Sequence, residues 1–147
     1  MTGKLTREEI AAIEHGCAML YHRLGVAADH AFRGFVECFA KEAVWVRPSM
    51  SMRGRDEIRA FIDKESARST RHLTRHLYST IVIDVADRNR ARGVAYAFIY
   101  RDESPANLPA PMQLPELVVS YQSEFIFEDG GWKFSRHEAE HTFSRYA

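Results

Sequence analysis

The sequence predicts an α+β domain in which helices pack against one face of a curved sheet. Apolar residues recur at helical spacing in three segments between residues 7 and 65, and from residue 73 onward they alternate with a period of two. Helices followed by consecutive strands are typical of the α+β class. The chain of 147 residues is long enough to bury a core without disulfide bonds, so we expect residues 1–147 to form one domain.

Three helices are predicted in the N-terminal half. Thr6 and Glu9 have the spacing of a capping box, so a first helix is expected over residues 7–24, with Gly25 ending it. Asp29 is expected to be the N-cap of a second helix, and a third is predicted over residues 55–65. The buried stripe of the second helix would comprise Phe32, Phe35, Val36 and Phe39.

Strands are predicted wherever hydrophobicity alternates. They are expected over residues 73–85, 91–101, 116–128 and 132–143, with a short strand over residues 43–46. Residues 129–131 (Asp-Gly-Gly) predict a hairpin turn, because glycine tolerates positive φ. Residues 104–115 contain four of the five prolines and predict a long loop. This loop would be a surface connection or subunit contact, or a pocket lid formed by Leu108, Met112 and Leu114.

Charge and composition disfavour two classes of partner. The 20 basic residues are balanced by 20 acidic ones and no long basic run occurs, so nucleic-acid binding is not expected. No apolar run has the length of a transmembrane helix and the N-terminus lacks a signal-peptide pattern, so we expect a cytoplasmic protein with no membrane partner. Cys17 and Cys38 lie in helical patterns and are expected to be buried thiols.

The candidate site begins the alternating segment that starts at residue 73. There, His76 and Tyr78 share the even-numbered face of the predicted strand, beside apolar positions on the other face. Such groups on one strand are typical of the wall of a small-molecule pocket. Histidine exchanges protons near neutral pH, so His76 is a candidate acid or base. The alternative is a semi-buried, hydrogen-bonded histidine among tyrosines that fill the core.

Histidine pairs raise the question of a metal site. His72 with His76, and His137 with His141, are each four residues apart. Zinc needs three or four ligands converging on one point, and this spacing alone is weak evidence for that. We therefore expect neither a metal nor another cofactor.

The whole layout resembles the SnoaL-like group of the nuclear transport factor 2 (NTF2-like) superfamily, from Leu5 to Phe143. The segments that carry the resemblance are residues 5–10 (LTREEI), 39–45 (FAKEAVW), 54–58 (GRDEI), 74–77 (TRHL) and 130–134 (GGWKF). The resemblance implies a cone-shaped barrel with a curved mixed sheet, three N-terminal helices, a blind apolar pocket and a homodimer. The superfamily includes scytalone dehydratase, ketosteroid isomerase, polyketide cyclases, small subunits of aromatic-ring dioxygenases, and members without catalysis.

Individual residues of these relatives can be compared with this sequence. The resemblance places His76 where scytalone dehydratase has a catalytic histidine, and Tyr21 where ketosteroid isomerase has the tyrosine that stabilises its oxyanion. Tyr121 lies on the strand whose matching side chain contacts ligand in the dehydratase.

The departures from these relatives are equally informative. Arg47 stands where the isomerase has its general-base aspartate, and Ser123 stands at about the position of its protonated aspartic acid. Gly25 or Val26 stands where several relatives have a catalytic aspartate near the end of the first helix. Arginine stays charged and cannot act as a base, so steroid isomerisation by the known mechanism is not expected.

We therefore expect a blind pocket that handles a small apolar or aromatic molecule, by cofactor-free dehydration, isomerisation or cyclisation if the protein is an enzyme. His76 would be the acid or base, and Tyr21 and Tyr121 would polarise an oxygen. Arg47 would bind a carboxylate or enolate, or else lie at a solvated strand end. The alternatives are a non-catalytic binding protein and a structural small subunit of a dioxygenase. The expected ligand-binding residues are Trp45, Arg47, Tyr78, Tyr96, Phe98 and Val119.

Overall fold

A curved mixed sheet of six strands packs against two α-helices in the computed structural model, which describes residues 3–68 and 71–147. The helices are α1 (Arg7–Asp29) and α2 (Gly54–Arg68). The strands are β1 (Phe39–Arg47), β2 (Met50–Arg53), β3 (Leu73–Asp87), β4 (Arg90–Asp102), β5 (Leu117–Glu128) and β6 (Gly131–Ser144).

The strand order is β2-β1-β6-β5-β4-β3, and neighbouring strands are antiparallel except for the parallel pair β1 and β6. The predicted α+β class and the mixed sheet are therefore confirmed. Strands β2 and β3 are the two edges of the sheet, so the sheet does not close, and the expectation of a barrel is wrong. The face that packs against the helices is called the inner face below, and the opposite one the outer face.

Helix α1 begins with the predicted capping box but extends further than expected. The Glu9 N–H donates to Oγ1 of Thr6 at 3.1 Å, and the Thr6 N–H donates to Oε2 of Glu9 at 2.7 Å. The helix continues through Gly25 to Asp29, so the expectation that Gly25 ends it is wrong. A Cβ at Gly25 would lie 2.9 Å from Cε2 of Tyr78, closer than unstrained packing allows. Gly25 therefore lets α1 approach β3 closely.

The predicted second helix does not occur within the described residues. Ala31 and Phe32 have φ values of 57° and 59°, and these left-handed conformations interrupt a right-handed helix. A single 3₁₀ turn, Val36–Cys38, then leads into β1. The described chain thus has two α-helices where three were expected, and Asp29 is the last residue of α1 and not an N-cap.

Strand β3 changes faces at Thr80, which has a φ of 53°. The register against β4 slips by one residue between Ser79 and Val82, which is a β-bulge. The strand itself is confirmed, but its alternation is not continuous: even-numbered residues face inward before the bulge, and odd-numbered residues face inward after it. The inward side chains are Thr74, His76, Tyr78, Ile81, Ile83 and Val85.

Small residues on β4 leave room for a cluster of aromatic rings beneath α1. A Cβ at Gly93 would lie 2.8 Å from both Ile83 and Phe125, so only glycine fits without displacement. The other inward residues of β4 near α1 are Ala91, Ala95 and Ala97, and the fully buried rings of the core are Tyr21, Phe39, Phe125 and Phe134. Three large side chains of β4, namely Val94, Tyr96 and Phe98, lie on the outer face and are exposed.

The predicted hairpin turn and long loop are confirmed. Strands β5 and β6 pair through a turn in which Asp129 and Gly130 both have positive φ. Residues 104–115 form neither helix nor strand. The three side chains proposed for a lid, Leu108, Met112 and Leu114, are exposed and do not line the cavity described below.

Cys17 and Cys38 are buried free thiols, as expected. Burial raises the pKa of Cys17 to about 12 and that of Cys38 to about 11, so both remain protonated at neutral pH and are poor nucleophiles. None of the helices in the described ranges has both the length and the apolar character needed to span a membrane.

Candidate active site

A cavity of about 360 Å³ lies between the C-terminal end of α1, helix α2 and the inner face of the sheet. This volume lies within the range of small-molecule sites. Its apolar wall comprises Leu24, Phe32, Phe35, Trp45, Phe61, Ile99, Leu117 and Val119. Its polar wall includes Asp29, Arg47, Thr74, His76, Tyr78, Arg101, Tyr121, His137 and His141. The cavity therefore combines ring-sized apolar surface with groups that can exchange protons or bind charge.

Asp29 and His76 form a hydrogen-bonded pair in this cavity. Nδ1 of His76 lies 2.6 Å from Oδ1 of Asp29, and the backbone N–H of His76 donates to Oδ2 at 3.0 Å. The Thr74 hydroxyl donates to Oδ1 at 3.1 Å. The end of α1 thus supplies the carboxylate, and the even-numbered residues of β3 before the bulge supply its three donors. This arrangement fixes both the carboxylate and the imidazole.

The hydrogen bonds keep Asp29 ionised although it is largely buried. Burial acts to raise its pKa, but the hydrogen bonds from the His76 ring and backbone and from Thr74 outweigh burial, so the pKa of Asp29 lies below its ordinary value. An ionised carboxylate can only accept, so Nδ1 of His76 must carry the proton of their shared bond. The other ring nitrogen, Nε2, is then an acceptor, as a general base requires.

His76 is predicted from the sequence as a site residue, whereas Asp29 is not. The resemblance places the relatives' aspartate at Gly25 or Val26, near the predicted end of the first helix, and the sequence predicts Asp29 to be a helix cap. The available signal was the segment 26–29 (VAAD), in which two alanines strongly favour continuation of the helix. With the helix extended by one turn, Asp29 becomes the carboxylate at its end.

Three tyrosines lie close together between α1 and the sheet. The rings of Tyr78 and Tyr121 are stacked with centroids 5.6 Å apart, and both line the cavity. Tyr21 lies behind them, fully buried, with its ring 5.6 Å from that of Tyr78. Burial raises the pKa of each hydroxyl, that of Tyr121 to about 12, so all three are protonated at neutral pH. Tyr78 and Tyr121 can therefore donate hydrogen bonds to a ligand oxygen.

His137 is a second buried histidine beside the cavity. Its Nδ1 lies 2.8 Å from Oγ of Ser123, and its ring stacks on Tyr121 with centroids 4.6 Å apart. Burial lowers the pKa of His137 to about 3, so the ring is neutral. The sequence indicates His137 only as one of a pair of histidines four residues apart; its position on β6 opposite Ser123 on β5 is the signal that gives it a hydrogen-bond partner. His137 holds Tyr121 in place within the aromatic cluster.

Arg47 extends into the cavity from the end of β1. Its guanidinium carbon lies 4.9 Å from the Phe61 ring centre and 5.5 Å from that of Trp45. Burial lowers its pKa, which is opposed by the negative charge of Glu65. Arg47 has no hydrogen-bond or ion-pair partner among the described residues. The side chain is therefore a half-buried cation that faces the cavity and not a solvated strand end.

The structure brings most of the sequence-predicted site residues together. Those that line the cavity are His76, Tyr121, Trp45, Arg47, Tyr78 and Val119. Tyr21 is adjacent but lies behind the lining. Tyr96 and Phe98 lie on the outer face, which corrects the expectation that they line the pocket; their inward neighbours are alanines because α1 passes over this part of β4.

The histidine pairs do not converge on a metal site. Across residues 3–68 and 71–147, no cluster of three or more histidine, cysteine, aspartate or glutamate side chains could hold a metal ion. His72 and His141 line the cavity near its polar residues, and no hydrogen bond joins either of them to the Asp29–His76 pair within the described ranges.

The fold is thus an α+β domain with a carboxylate–histidine pair in an aromatic-lined cavity, an arrangement typical of small-molecule sites. The chain belongs to the SnoaL-like domain family, whose family model matches residues 8–138. This confirms the resemblance derived from the sequence. A search of curated proteins finds no match.

Solved structures of the same fold include proteins of several names. The chain is similar to a candidate scytalone dehydratase from Novosphingobium aromaticivorans, with a TM-score of 0.77 and 17% identity over 94% of this chain and 89% of the other. It is similar to a type 2 hexachlorocyclohexane dehydrochlorinase, with a TM-score of 0.75 and 15% identity over 94% and 90%. An NTF2-like protein from N. aromaticivorans gives a TM-score of 0.73 and 17% identity over 95% and 92%. At these identities the likeness establishes the fold.

Proposed function

We propose that this protein catalyses a cofactor-free elimination on a small, largely apolar, ring-containing molecule. The observation that carries the proposal is the hydrogen-bonded pair of Asp29 and His76 in the wall of a ring-sized cavity. An ionised carboxylate that holds Nδ1–H of a histidine leaves Nε2 ready to accept a proton, which is the arrangement of a general base.

In the proposed reaction, Nε2 of His76 removes a proton from a ligand carbon. The electrons of the broken C–H bond form a double bond to the adjacent carbon, and the leaving group departs from that carbon with its bonding pair. Asp29 stabilises the imidazolium formed on His76. Where the leaving group is a hydroxyl, the phenol of Tyr78 or Tyr121 donates a hydrogen bond to the departing oxygen, on which negative charge develops. The proton on His76 then passes to the leaving group or to solvent.

Two structural neighbours support elimination over the other reactions that the fold could perform. One is a candidate dehydratase and another is a dehydrochlorinase, and both names describe the loss of a small molecule from a substrate. Isomerisation and cyclisation begin with the same proton removal, so they are alternatives that differ only in where the electrons of the broken C–H bond go. Proton removal is therefore the step to test.

The test measures proton exchange and elimination separately. Purified protein is incubated in D₂O with a panel of cyclic ketones and hydroxy- or halo-substituted rings, and mass spectrometry and NMR report deuterium uptake and loss of the leaving group. We expect at least one compound to react with the wild-type chain and with His15→Ala, which changes an exposed histidine on α1. His76→Ala should abolish the reaction.

Two results would contradict this proposal. Turnover that survives in His76→Ala would show that another group removes the proton. Tight binding of several panel members without exchange or elimination would favour the non-catalytic binding protein over the enzyme.

We further propose that the protein is a cytoplasmic homodimer that pairs through the outer face of β3 and β4. Leu77 lies opposite Phe98 and Val82 opposite Val94 across these strands, and all four side chains are exposed. Such a row of exposed apolar residues is typical of an interface. Native mass spectrometry should show a dimer that Phe98→Glu converts into a folded monomer, and a monomeric wild-type chain would contradict the proposal.

A further inference from the structure

Arg47 provides the cavity with a cation that has no hydrogen-bond or ion-pair partner among the residues that the structure describes. We propose that Arg47 binds a carboxylate of the ligand, so that the substrates of this site are ring-containing carboxylic acids. The inference rests on the proposed function, because it names the chemical class handled by the same cavity. It goes beyond that function in assigning a second binding point, distinct from the Asp29–His76 pair.

The contacts of Arg47 orient its guanidinium for a ligand. The rings of Trp45 and Phe61 lie within 5.5 Å of the guanidinium carbon, and stacking on ring faces leaves the edge of the group with its N–H donors uncovered. That edge matches a carboxylate, which accepts two parallel hydrogen bonds from a guanidinium. The same two rings offer apolar surface to the body of the ligand.

The other charged groups of the cavity wall are already engaged. Arg101 forms an ion pair with Glu116, with Nε and Oε2 3.2 Å apart. Glu65 lies near Arg47 but forms an ion pair with Arg68 at 3.3 Å, and no ion pair joins it to Arg47 in the described chain. Asp29 is held by three donors. Within the described residues Arg47 therefore has no direct ion pair, and the nearby charge of Glu65 acts on it without a contact, so its N–H donors are left for a ligand.

Half-burial makes that compensation favourable. Burial acts against the charged form of Arg47, and its guanidinium nevertheless remains charged because its intrinsic pKa is so high. A desolvated cation without a counter-charge is costly, whereas a bound carboxylate would add charge-assisted hydrogen bonds in a site of low dielectric. A neutral ligand of the same shape would leave the cost in place.

The position of Arg47 gives the carboxylate an orienting role. Arg47 ends β1, while His76 lies on β3, and β6, β5 and β4 separate these strands in the sheet. Tyr121 on β5 lies between them: the charge of Arg47 acts to lower its pKa, and its ring stacks on Tyr78. A ligand whose carboxylate is held by Arg47 would extend across Tyr121 and present its other end to His76.

The experiment compares two probes of the same shape that differ in charge. Binding of 2-naphthoate and 2-naphthamide is measured by isothermal titration calorimetry on the wild-type chain, Arg47→Gln, Arg47→Lys and the matched control Arg53→Gln, which changes an exposed arginine on β2. We expect the wild-type chain and the control to prefer naphthoate by about 10- to 100-fold, the range of a charged hydrogen bond. Arg47→Gln should remove the preference without changing the amide affinity, and Arg47→Lys should retain part of it.

The outcomes separate this inference from the proposed function. Equal affinity of the wild-type chain for both probes, or an equal loss of both affinities in Arg47→Gln, would overturn the carboxylate assignment and leave the catalytic pair untouched. Failure of both probes to bind the wild-type chain would contradict the cavity as a site for ring-sized ligands, and both proposals with it. Thermal unfolding of each variant identifies any loss of affinity that comes from misfolding.

Discussion

Two of the histidines that line the cavity, His76 and His137, have contrasting hydrogen-bond partners. His76 on β3 shares its Nδ1 with a carboxylate that is itself held by two further donors. His137 on β6 shares its Nδ1 with the neutral hydroxyl of Ser123 and is stacked against Tyr121. Burial without a charge partner lowers the pKa of His137 to about 3, so it cannot take up a proton at neutral pH. The two rings thus differ in their partners, because Nδ1 of His76 is paired with a carboxylate and Nδ1 of His137 with a neutral hydroxyl.

Among the changes that test the difference between the two histidines, replacing the Asp29 carboxylate should have the largest effect on turnover. In Asp29→Asn the amide cannot stabilise an imidazolium and can favour the wrong tautomer of His76, so turnover should fall by roughly 10²- to 10⁴-fold. The measurement is kcat on any substrate found in the D₂O panel. Ser123→Ala, which alters the partner of the other histidine, should change kcat by less than about tenfold. Equal losses in the two variants would show that the two histidines are not distinguished by their partners.

The pH dependence of stability should reveal His137. The folded pKa of His137 lies below its unfolded value, so the unfolded chain binds more protons between about pH 6.5 and pH 3. The stabilisation associated with the neutral, buried His137 ring is fully present above pH 6.5. Between pH 6.5 and pH 3 the free energy of unfolding should fall with decreasing pH by up to about 1.4 kcal/mol per pH unit. Urea unfolding at a series of pH values provides the measurement.

A matched variant identifies the source of that slope. His137→Gln should flatten the decline between pH 6 and pH 4, because glutamine does not titrate. Asp29, whose pKa is lowered, contributes stability that is lost only as the pH falls below about 3.8, so its effect lies outside the range from pH 6 to pH 4. An unchanged slope in His137→Gln would show that other groups cause the loss.

Close packing of α1 on β3 at Gly25 should affect both the stability of the protein and the position of His76. A Cβ at Gly25 would lie 3.2 Å from Cβ of His76 and 2.9 Å from the Tyr78 ring. Gly25→Ala should therefore force α1 and β3 apart, with a loss of about 1–3 kcal/mol in the free energy of unfolding and a fall in kcat. An alanine that stabilises the protein through its higher helix propensity, with kcat intact, would contradict the tight contact.

The smallest effect is expected from the hydroxyl that holds His137. Ser123→Ala removes one buried hydrogen bond and should lower the free energy of unfolding by about 1 kcal/mol. Chemical denaturation measures this directly, and Ser120→Ala on the exposed part of the same strand provides the control. A loss no greater than that of the control would indicate that His137 finds another partner.

Much of the fold could be predicted because its signals are local. The capping box of Thr6 and Glu9, the alternation of β4 to β6 and the Asp-Gly-Gly turn all depend on neighbours within a few residues. The prediction of a second helix was wrong because the apolar residues of this segment are buried by a turn that includes left-handed residues. Nothing local distinguishes those two ways of burying Phe35 and Phe39.

The site was predicted less completely because its pairs are distant in sequence. Asp29 and His76 are 47 residues apart, and their contact depends on where α1 ends and on which face β3 presents. Arg47 has no ion pair among the described residues, while the nearby Glu116 is paired with Arg101. Only the folded chain reveals which of these arginines is paired. Histidine and tyrosine could be named from their chemistry, but their partners could not.

The bulge at Thr80 also affects how relatives of this chain can be recognised. One additional residue in β3 works as a frame shift between the half of the strand that carries His76 and the half that packs against the core. An alignment that keeps the alternation of apolar residues in phase through this position would assign His76 to the wrong side of the sheet. Distant homologues that lack the extra residue would then be classed as having lost their histidine when it has only moved by one place.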